Sequence, residues 1–410
     1  MYNVEITPSL LKGNVSAPPS KSVAHRLLIC AALSNGTSEI SGLSLSKDII
    51  ATIDGLKSLG AEVTINGTTA IVKGISNIPQ TALIDCNESG STLRFLIPIV
   101  TALGVSTTFL GQGKLPERPI TPYLDEFSKK DITFDYKNTM PFLVSGKLKS
   151  GKFSLAGNIS SQFITGLLFA LPLLDGNSEI VLTSKLESKP YVDITIDCLS
   201  KFGVKIDETE QGYSIKGNQK YKSVDIKVEG DYSQAAFLYV ANALGSHIKI
   251  DNLNTNSYQG DKKIIEIIEK ISYNNKMKAF EVDGSDIPDI VPVMTVLASF
   301  CEGTSRIYNV GRLRIKESDR IESISSCINK IGGSVTTTED SLIINGVDSF
   351  TGGEVDSFND HRIAMSMAIC ATRCKKTLVI KNASSVEKSW PDFFEQYKKL
   401  GGILNVFDME

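Results

Sequence analysis

The sequence predicts an α/β fold of two similar domains, each built from three repeats of roughly 70 residues. The first observation behind this prediction is a helix end, a small turn and an alternating strand that recur along the chain. The second is a mostly apolar helix that opens every repeat, because a helix that is apolar all round is a buried helix. Each repeat is therefore expected to contain a buried helix, a strand, an amphipathic helix and a strand hairpin.

The recurring helix ends define the repeat. In four segments a glycine, the usual left-handed residue after a helix, directly precedes the strand: residues 55–65, 198–206, 327–337 and 397–406. Weaker copies without that glycine occur at residues 127–135 and 268–276. The six turns fall at positions 60, 131, 203, 274, 332 and 401, with spacings of 71, 72, 71, 58 and 69 residues.

Two places indicate where the chain passes between domains. The fourth repeat begins near residues 228–231, and two adjacent prolines precede the first helix. If the strand at residues 4–6 pairs with the second half, the chain crosses twice, and the crossings form a hinge with the ligand in the cleft between the domains. We expect one domain from residues 1–19 with 229–410, and the other from residues 20–228.

Composition favours an ordinary globular chain of 410 residues, with 41% hydrophobic and 22% charged residues. The net charge of −3 provides no broad basic surface, so we expect no nucleic-acid partner. The N-terminus lacks signal or transit features, and no apolar run approaches about eighteen residues. We therefore expect a cytoplasmic protein without a membrane partner.

Cysteine usage argues against disulfides and against a metal centre. The seven cysteines are an odd number, and no Cys-x-x-Cys pair occurs, so reduced and mostly buried thiols are expected. Cys370 and Cys374 are spaced to share a helix face, but the chain has only three histidines. We expect no metal ion.

A dense run of charge at residues 312–320 predicts an anion-binding site. Four cations and two carboxylates fall within this run. Lys316 and Arg320 stand four residues apart, on one face of any helix that begins here, while Glu317 and Asp319 point elsewhere. A solvated helix face is the alternative interpretation of such a run.

Polar residues before the buried helices are a second sign of an anion site. Helix N-termini carry free N–H groups and the positive end of the helix dipole, which favour phosphate and carboxylate ligands. Each serine or aspartate is also an ordinary N-cap, so only the six segments together favour a ligand. Lys21, Arg26, Arg94 and Arg362 add full positive charge at the same level. The segments are residues 20–22, 88–91, 160–162, 230–233, 286–289 and 359–362.

These motifs occur together, and in the same order, in a known enzyme family. The chain resembles the 5-enolpyruvylshikimate-3-phosphate synthases over residues 18–396. About ten separate motifs carry the resemblance, which is far more specific than a lone glycine-rich loop. They are residues 20–26, 90–95, 117–120, 160–163, 188–193, 230–231, 288–289, 314–320, 359–362 and 388–392.

The resemblance implies the enolpyruvyl transferase fold, in which each of two domains contains three βαβαββ repeats with buried helices, an inside-out α/β barrel-like arrangement. It implies transfer of the enolpyruvyl group of phosphoenolpyruvate to the 5-hydroxyl of shikimate 3-phosphate, with release of phosphate, in aromatic amino acid biosynthesis. It implies no cofactor, and we expect a monomer. The two substrates bring two phosphates and two carboxylates, which explains the need for several cations.

The resemblance also assigns site residues. Those for shikimate 3-phosphate are Lys21, Ser22, Arg26, Ser160, Ser161, Gln162, Ser188, Tyr191, Asp289 and Lys316. Those for phosphoenolpyruvate are Lys21, Gly90, Arg118, Gln162, Arg320, His361, Arg362 and Lys388.

Addition followed by elimination requires a general acid, a general base and charge stabilisation. By resemblance, Asp289 is the candidate base at the 5-hydroxyl and Glu317 a candidate proton carrier at the methylene carbon. Lys316 is the candidate partner of the leaving phosphate, and Lys21 is the fourth catalytic candidate. Which carboxylate handles which proton stays open, since an arginine-rich site lowers a carboxylate pKa while burial raises it.

Three positions depart from the family pattern. Glu88 stands where asparagine is common, Arg312 where one branch has asparagine, and Leu313 where that branch has tryptophan. Glu88 places a carboxylate near the phosphate of phosphoenolpyruvate unless its side chain turns away. Glyphosate occupies the enolpyruvate site of sensitive relatives, and Gly90 leaves room for it, so competitive inhibition is expected.

Other functions fit the sequence less well. A UDP-N-acetylglucosamine enolpyruvyl transferase shares the fold and the donor, but its reactive cysteine is expected near residues 110–120, where this chain has none. A non-catalytic repeat scaffold is expected to lose charged residues piecemeal, whereas the family's charged positions are occupied here. A kinase is disfavoured because no Gly-x-x-x-x-Gly-Lys-Ser/Thr loop occurs.

Overall fold

The computed structural model describes residues 2–273 and 276–408. The chain forms two compact units: residues 1–18 and 230–410 form the split unit, and residues 19–229 form the continuous unit. The chain begins with two strands of the split unit, β1 (Tyr2–Thr7) and β2 (Lys12–Ser16).

The continuous unit contains three repeats with one order of elements. The first comprises α1 (Lys21–Ala32), β3 (Thr37–Ser41), α2 (Lys47–Ser58), β4 (Glu62–Asn66) and β5 (Thr69–Lys73). The second comprises β6 (Thr81–Asp85), α3 (Gly90–Leu103), β7 (Ser106–Leu110), α4 (Thr121–Phe127), β8 (Thr133–Asp135) and β9 (Phe142–Ser145). The third comprises β10 (Lys152–Leu155), α5 (Ser161–Ala170), β11 (Ser178–Leu182), α6 (Lys189–Lys201), β12 (Ile206–Thr209), β13 (Gly212–Ile215) and the closing strand β14 (Ile226–Lys227).

Each repeat of the continuous unit forms one four-stranded sheet. The strand orders are β14-β3-β5-β4, β6-β7-β9-β8 and β10-β11-β13-β12. The first two strands of each sheet are parallel and the other neighbours are antiparallel. A parallel pair needs a crossover connection, which α3 and α5 provide in the second and third sheets. The last strand of the unit, β14, completes its first sheet.

The split unit contains the other three repeats. The fourth comprises α7 (Tyr232–Ala243), β15 (His247–Asp251), α8 (Lys263–Ile271), β16 (Ser272–Tyr273) and β17 (Lys276–Met277). The fifth comprises β18 (Glu281–Asp283), α9 (Val291–Ala298), β19 (Thr304–Tyr308), α10 (Arg320–Lys330), β20 (Ser334–Thr337) and β21 (Leu342–Asn345). The sixth comprises β22 (Gly353–Asp356), α11 (His361–Ala371), β23 (Leu378–Lys381), α12 (Phe393–Lys399) and β24 (Ile403–Asp408).

Two sheets of the split unit repeat the same topology, with orders β18-β19-β21-β20 and β22-β23-β1-β24. Strand β1 pairs with β23 and β24, which confirms that the N-terminal strand pairs with the second half of the chain. The fourth repeat differs, because its strands lie in two separate pairs, β15 with β2 and β16 with β17. The turn expected at position 274 lies outside the described residues.

The apolar helices form the cores of the two units, as predicted. Every residue of α9 and of α11 is buried, and α1, α3, α5 and α7 are buried over most of their length. One hydrophobic cluster lies in each unit. Since these helices expose little side-chain surface, only their ends remain for ligand contacts.

Left-handed residues end the amphipathic helices, as predicted. Gly60, Gly203, Gly332 and Gly401 have φ angles of 99°, 78°, 90° and 89°. Asp131 adopts the same conformation, with φ 60°, because aspartate tolerates it better than most non-glycine residues.

Five of the buried helices begin at a side-chain N-cap. Ser20, Ser89, Ser160, Asp231 and Asp360 each accept a hydrogen bond from a backbone N–H of the helix that follows. Helix α9 is the exception, because its N-cap is Ile290 and has no side-chain hydrogen bond. The aspartate before α9 is therefore not used as a cap.

Two further sequence expectations concern whole-chain properties. The seven cysteines are free and buried. Within residues 2–273 and 276–408, no helix has the length and apolar character needed to cross a bilayer.

Candidate active site

Each unit holds one group of the site residues expected from the sequence, near the N-terminal ends of its buried helices. The first group lies in the continuous unit, and we call it the basic cluster: Lys21, Arg26, Gly90, Arg94, Arg118 and Gln162. The second lies in the split unit, and we call it the carboxylate cluster: Asp289, Lys316, Glu317, Arg320, Asp360 and Arg362.

Lys21 is the first residue of α1 and forms an ion pair inside its own unit. Its Nζ lies 2.7 Å from Oδ2 of Asp48, at the start of α2. The side chains of Lys21 and Asp48 are 16% and 12% exposed. The ion pair is thus partly shielded from water, and Asp48 fixes the position of the ammonium group without covering it completely.

Arg26 lies one turn further along α1 and is held by neutral acceptors. Its Nε donates to Thr195 Oγ1 at 2.8 Å, Nη1 to the carbonyl of Ser22 at 2.7 Å, and Nη2 to the carbonyl of Tyr191 at 2.8 Å. A guanidinium has five N–H donors, so these bonds orient the group and leave donors for an anion.

Gly90 opens α3 and lies beside two guanidinium groups. A Cβ atom added to it would lie 2.8 Å from Arg94 Nη1 and 2.9 Å from both Nη1 and Nη2 of Arg118. Two cations that reach one point at a helix N-terminus repel each other unless an anion offsets their charge. The geometry at Gly90 therefore favours a bound phosphate or carboxylate.

Gln162 connects the starts of α3 and α5. Its Oε1 accepts from Arg94 Nη1 at 2.7 Å, and its Nε2 donates to Ser91 Oγ at 3.0 Å. Arg94 Nη2 also donates to the carbonyl of Pro119 at 3.1 Å, next to Arg118 in the chain. One arginine thus links three segments that the sequence marks as ligand-binding.

The remaining predicted residues of this unit lie at the starts of α5 and α6. Ser160 Oγ accepts from the backbone N–H of Gln162 at 3.3 Å, and Ser161 is buried in the first turn of α5. Ser188 is the N-cap of α6 with a φ of 57°, a strained conformation for a residue other than glycine. Tyr191 follows one turn later, with its ring half-buried.

In the split unit, Arg320 is the centre of the carboxylate cluster. Its side chain is 2% exposed and contacts three carboxylates. Nε lies 2.8 Å from Asp360 Oδ2, Nη1 lies 3.0 Å from Asp289 Oδ1, and Nη2 lies 2.9 Å from Glu317 Oε2. A buried cation needs such partners, because burying it without them costs roughly several kcal/mol.

Arg362 joins the same cluster from the second position of α11. Its Nη2 lies 3.1 Å from Asp289 Oδ2 and donates to Ser233 Oγ at 2.7 Å, while Nη1 donates to the carbonyl of Ser233 at 3.0 Å. Ser233 is held in turn by Asp231, the N-cap of α7. Asp289 therefore bridges Arg320 and Arg362, one guanidinium at each oxygen.

This bridge changes the acidity of Asp289. Burial alone would raise its pKa, but the charges of Arg362, Arg320 and Lys316 outweigh burial and hold the pKa well below its usual value. Asp289 is thus ionised at every pH of interest, and it is a weak base while the arginines are its main partners.

The pKa of Lys316 is also lowered, but for a lysine a lower pKa favours the uncharged form. Burial lowers its pKa to about 8, and the neighbouring charges of Arg312 and Arg320 act in the same direction, against the attraction of Asp289 and Glu317. Its ammonium group therefore loses its proton at a pH at which other lysines remain charged. A bound anion would restore the charge.

Lys388 and His361 lie at the edge of this cluster. Lys388 Nζ donates to the carbonyl of Asn359 at 2.7 Å, and Asn359 has a left-handed backbone with φ 53°. His361, the first residue of α11, is buried, and its Nδ1 lies 3.9 Å from Asp360 Oδ1. Both side chains thus lie next to the segment that also carries Arg362.

The expectation that Lys316 and Arg320 share a helix face is wrong. A short 3-10 helix covers Gly311–Ile315, Lys316 has an extended backbone, and α10 begins only at Arg320. Glu317 does not point elsewhere, because it pairs with Arg320. The turn between the two helices gathers these charges, and no single helix face does so.

The other charges of this run have structural partners. Asp319 is the N-cap of α10 and also pairs with Arg314 Nη1 at 2.8 Å. Arg312 Nη2 donates to the carbonyl of Ser285. The alternative interpretation, a solvated charged surface, therefore fits Arg314 and Asp319 but not the residues of the carboxylate cluster.

Sequence reasoning missed several residues that position the predicted ones. Asp48, Ser233 and Asp360 each hold a cation of the two clusters, although the sequence marked the last two only as parts of polar segments before helices. The sequence does carry a signal for Asp360, because an aspartate next to His361 and Arg362 can pair with a cation as well as cap a helix. Nothing in the sequence connects Asp48 with Lys21, because α1 and α2 meet only in the fold.

Glu88 turns toward the loop that precedes Arg118. A Cβ atom added to Gly113 would lie 2.5 Å from Glu88 Oε2 and 2.6 Å from its Cδ. The carboxylate thus lies close to the backbone of Gly113.

The basic cluster offers anion-binding groups, and the carboxylate cluster offers both cations and acid or base groups. Cations at helix N-termini suit phosphates and carboxylates, and Asp289 and Glu317 offer sites for proton transfer. In the part of the chain that the structure describes, no group of three or more histidine, cysteine, aspartate or glutamate side chains is arranged to hold a metal ion.

Comparisons with known proteins agree with this chemistry. A family model described as EPSP synthase (3-phosphoshikimate 1-carboxyvinyltransferase) matches residues 6–397. Proteins named 3-phosphoshikimate 1-carboxyvinyltransferase from Clostridium perfringens strain 13 and Clostridium beijerinckii are 48% and 46% identical to the chain. The first alignment covers 98% of this chain and 99% of the relative, and the second covers 100% of both.

Solved structures support the fold. A structure of EPSP synthase from Acinetobacter baumannii superposes with a TM-score of 0.83 at 23% identity, over 99% of this chain and 100% of that one. A second structure from the same organism gives a TM-score of 0.81 at 22% identity. The predicted enolpyruvyl transferase fold is confirmed. The chain belongs to the EPSP synthase family.

Proposed function

We propose that the chain transfers the enolpyruvyl group of phosphoenolpyruvate to the 5-hydroxyl of shikimate 3-phosphate and releases phosphate. The observation that carries this proposal is the position of Asp289 between Arg320 and Arg362. A base is thereby in direct contact with two cations that the family pattern assigns to phosphoenolpyruvate. Membership of the EPSP synthase family supports the same reaction.

Both clusters are proposed to act on this one pair of substrates. Lys21, Ser22, Arg26, Ser160, Ser161, Gln162, Ser188, Tyr191, Asp289 and Lys316 bind shikimate 3-phosphate in this scheme. Lys21, Gly90, Arg118, Gln162, Arg320, His361, Arg362 and Lys388 bind phosphoenolpyruvate. Two phosphates and two carboxylates then face charges that the fold already holds in place, which lowers the cost of bringing four anionic groups together.

The reaction consists of an addition and an elimination. In the addition, the methylene carbon of phosphoenolpyruvate takes up a proton, and the 5-hydroxyl oxygen bonds to the adjacent carbon while losing its own proton. In the elimination, the bond to the phosphate oxygen breaks, and the new methyl group gives back one proton. The acid used at the methylene is thereby regenerated, and the hydroxyl proton leaves with phosphate or water.

Asp289 is the proposed base at the 5-hydroxyl. Against the effect of burial, Arg362 and Arg320 lower its pKa. An anionic substrate on these arginines offsets their charge, so the pKa of Asp289 rises as the substrate binds and the carboxylate becomes a better base. Substrate binding thus activates the base in this scheme.

Glu317, Lys316 and Lys21 complete the proposed chemistry. Glu317 is the proton carrier at the methylene carbon, since it lies beside Arg320 at the edge of the cluster with its side chain 18% exposed. Lys316 offsets the charge of the leaving phosphate. Lys21, held by Asp48, stabilises charge on the enolpyruvyl side.

The finer partner and location assignments are also proposals. We infer a monomer that acts in the cytoplasm, with no nucleic-acid or membrane partner. The net charge of −3 and the local character of the cationic site support the statement on nucleic acid.

Phosphate release tests the proposed function. The protein is assayed with both substrates, with each one omitted, and with UDP-N-acetylglucosamine in place of shikimate 3-phosphate, all in EDTA. We expect release only when phosphoenolpyruvate and shikimate 3-phosphate are both present. Release without shikimate 3-phosphate, or with the nucleotide sugar instead, would contradict the proposal, and loss of activity in EDTA would contradict its metal-free form.

A further inference from the structure

A proline interrupts α3 one turn after Arg94. Pro98 lies inside the helix and has no backbone N–H. In a regular helix that N–H would bind the carbonyl four residues earlier, which here belongs to Arg94. The carbonyl of Arg94 is buried and therefore needs another donor.

Tyr123 of α4 supplies that donor. Its hydroxyl oxygen lies 2.8 Å from the carbonyl oxygen of Arg94 and 2.8 Å from that of Phe163 in α5. Tyr123 has no exposed surface. The hydroxyl has one hydrogen, and Phe163 has the helical N–H of Leu167 as a partner, so the carbonyl of Arg94 is the acceptor in greater need.

The surrounding residues leave space for this contact and little else. A Cβ atom added to Gly166 of α5 would lie 2.3 Å from the Tyr123 hydroxyl oxygen and 2.3 Å from the Arg94 carbonyl oxygen. Helices α3 and α5 can thus meet here only because residue 166 is glycine. Burial also raises the pKa of Tyr123 well above its usual value, against the charge of Arg94, so the hydroxyl keeps its proton.

This contact lies directly behind the basic cluster. Arg94 contributes the guanidinium group beside Gly90, and Phe163 follows Gln162, which accepts from that guanidinium at 2.7 Å. Tyr123 itself follows Arg118 by five residues, and Pro119 between them accepts from Arg94 at 3.1 Å. The hydroxyl of Tyr123 therefore touches the backbone of two helices whose N-terminal ends carry the anion-binding side chains.

We propose that Tyr123 is a positioning residue of the reaction: its hydroxyl replaces the N–H missing at Pro98 and holds the N-terminal ends of α3 and α5 so that Arg94, Arg118 and Gln162 converge on phosphoenolpyruvate. The proposal rests on the proposed function of the basic cluster. Tyr123 acts through these residues and touches no substrate.

The first test is the KM for phosphoenolpyruvate of the Tyr123→Phe variant. Loss of one buried hydrogen bond to the helix backbone is expected to raise this KM by about three- to tenfold. We expect kcat to stay within about twofold, since the proton-transferring carboxylates lie in the other unit. A variant with a lower melting temperature but both KM values unchanged would overturn the proposal, because Tyr123 would then be only structural.

Tyr221→Phe is the matched control. The Tyr221 hydroxyl is also buried and donates to a carbonyl of α5, that of Phe169 at 2.7 Å, but near the opposite end of the helix. This variant loses a similar hydrogen bond and is expected to lose similar stability without a change in the KM for phosphoenolpyruvate. An equal rise of KM in both variants would contradict a specific role of Tyr123.

A second variant provides a rescue. Pro98→Ala restores a backbone N–H that can bind the carbonyl of Arg94. In that background, Tyr123→Phe should raise the KM for phosphoenolpyruvate by less than about twofold. An undiminished rise of this KM in the double variant would overturn the proposed link between Pro98 and Tyr123. If the unaltered protein releases no phosphate with both substrates, the proposed function fails, whereas an active protein with unchanged kinetics in Tyr123→Phe refutes this inference alone.

Discussion

The basic cluster and the carboxylate cluster hold their arginines in opposite ways. Inside its unit, Arg26 is oriented by a hydroxyl and two carbonyls, and Arg94 by an amide and a carbonyl. Arg320 is held by three carboxylates, and Arg362 by one carboxylate and a serine. Neutral acceptors orient a cation without offsetting its charge, whereas carboxylates offset it.

This difference indicates a division of work. Guanidinium groups attract anions, so the basic cluster is suited to bind phosphate and carboxylate groups. In the carboxylate cluster the arginines keep Asp289 ionised, and a bound anion would compete with Asp289 for these arginines. We therefore expect changes at Gly90 and Arg118 to act mainly on KM, and changes at the carboxylates Asp289 and Glu317 mainly on kcat.

The largest effect is expected from Asp289→Asn. Loss of the proposed base should lower kcat by about 10³-fold, with KM values within about threefold. Asp319→Asn is the matched control, because asparagine keeps the N-cap of α10 and Asp319 lies outside the cluster. Steady-state phosphate release measures both. Turnover of Asp289→Asn near that of the unaltered protein would remove the distinction between the clusters.

Gly90→Ala probes the basic cluster. The added methyl group would lie 2.8 Å from Arg94 Nη1 and 2.9 Å from two nitrogens of Arg118, so the guanidinium groups must move. We expect the KM for phosphoenolpyruvate to rise about tenfold and kcat to change little. Gly55→Ala is the control, since its methyl group would meet only side-chain carbon atoms, the nearest at 2.8 Å, and should lower stability alone. An unchanged KM for phosphoenolpyruvate in Gly90→Ala would contradict the assignment of Gly90 and Arg118 to the binding of this substrate.

The pKa of Lys316 predicts a pH dependence. Its cation is present below about pH 8 and is lost as the pH rises through that value. Since kcat/KM reports the free enzyme, kcat/KM for either anionic substrate should fall above about pH 8, roughly tenfold per pH unit. Bound substrate raises the pKa, so the fall in kcat should come at higher pH. In Lys316→Arg, whose side chain stays charged, the fall should disappear; its persistence would mean that another group titrates.

The smallest effect concerns a residue outside both clusters. Asp319→Ala removes the N-cap of α10 and the partner of Arg314, and it should lower the free energy of unfolding by about 1 kcal/mol. Denaturant unfolding measures this loss. We expect kcat and both KM values to stay within about twofold, and a larger kinetic change would show that the charged run at residues 312–320 works as one unit after all.

The sequence predicted the repeat well because its elements leave local signals, whereas the roles of the site residues stay predictions. Apolar helices, glycine after helices and polar N-caps are visible in short windows, and the structure contains these elements at the expected positions. The site geometry was less predictable. The spacing of Lys316 and Arg320 suggested a shared helix face, but the chain turns between them, and only the fold shows that Glu317 folds back onto Arg320.

Contacts between segments that are distant in the sequence could not be predicted, and the reason is physical. The pairs Lys21 with Asp48, Arg362 with Ser233, and the hydroxyl of Tyr123 with the carbonyl of Arg94 join elements that meet only after packing. No periodicity encodes such pairs. The conformation of Glu88 was open for the same reason, since it depends on the loop at Gly113.

Binding of phosphoenolpyruvate to slow variants tests the division of work most directly. Calorimetric titration into Asp289→Asn saturated with shikimate 3-phosphate should give a Kd no weaker than the KM of the unaltered protein. In the double variant with Arg118→Gln, loss of a charge-assisted contact should weaken that Kd by about tenfold or more. Equal affinity of the two variants, or loss of binding in Asp289→Asn alone, would contradict the assignment of phosphoenolpyruvate binding to Arg118 and of proton transfer to Asp289.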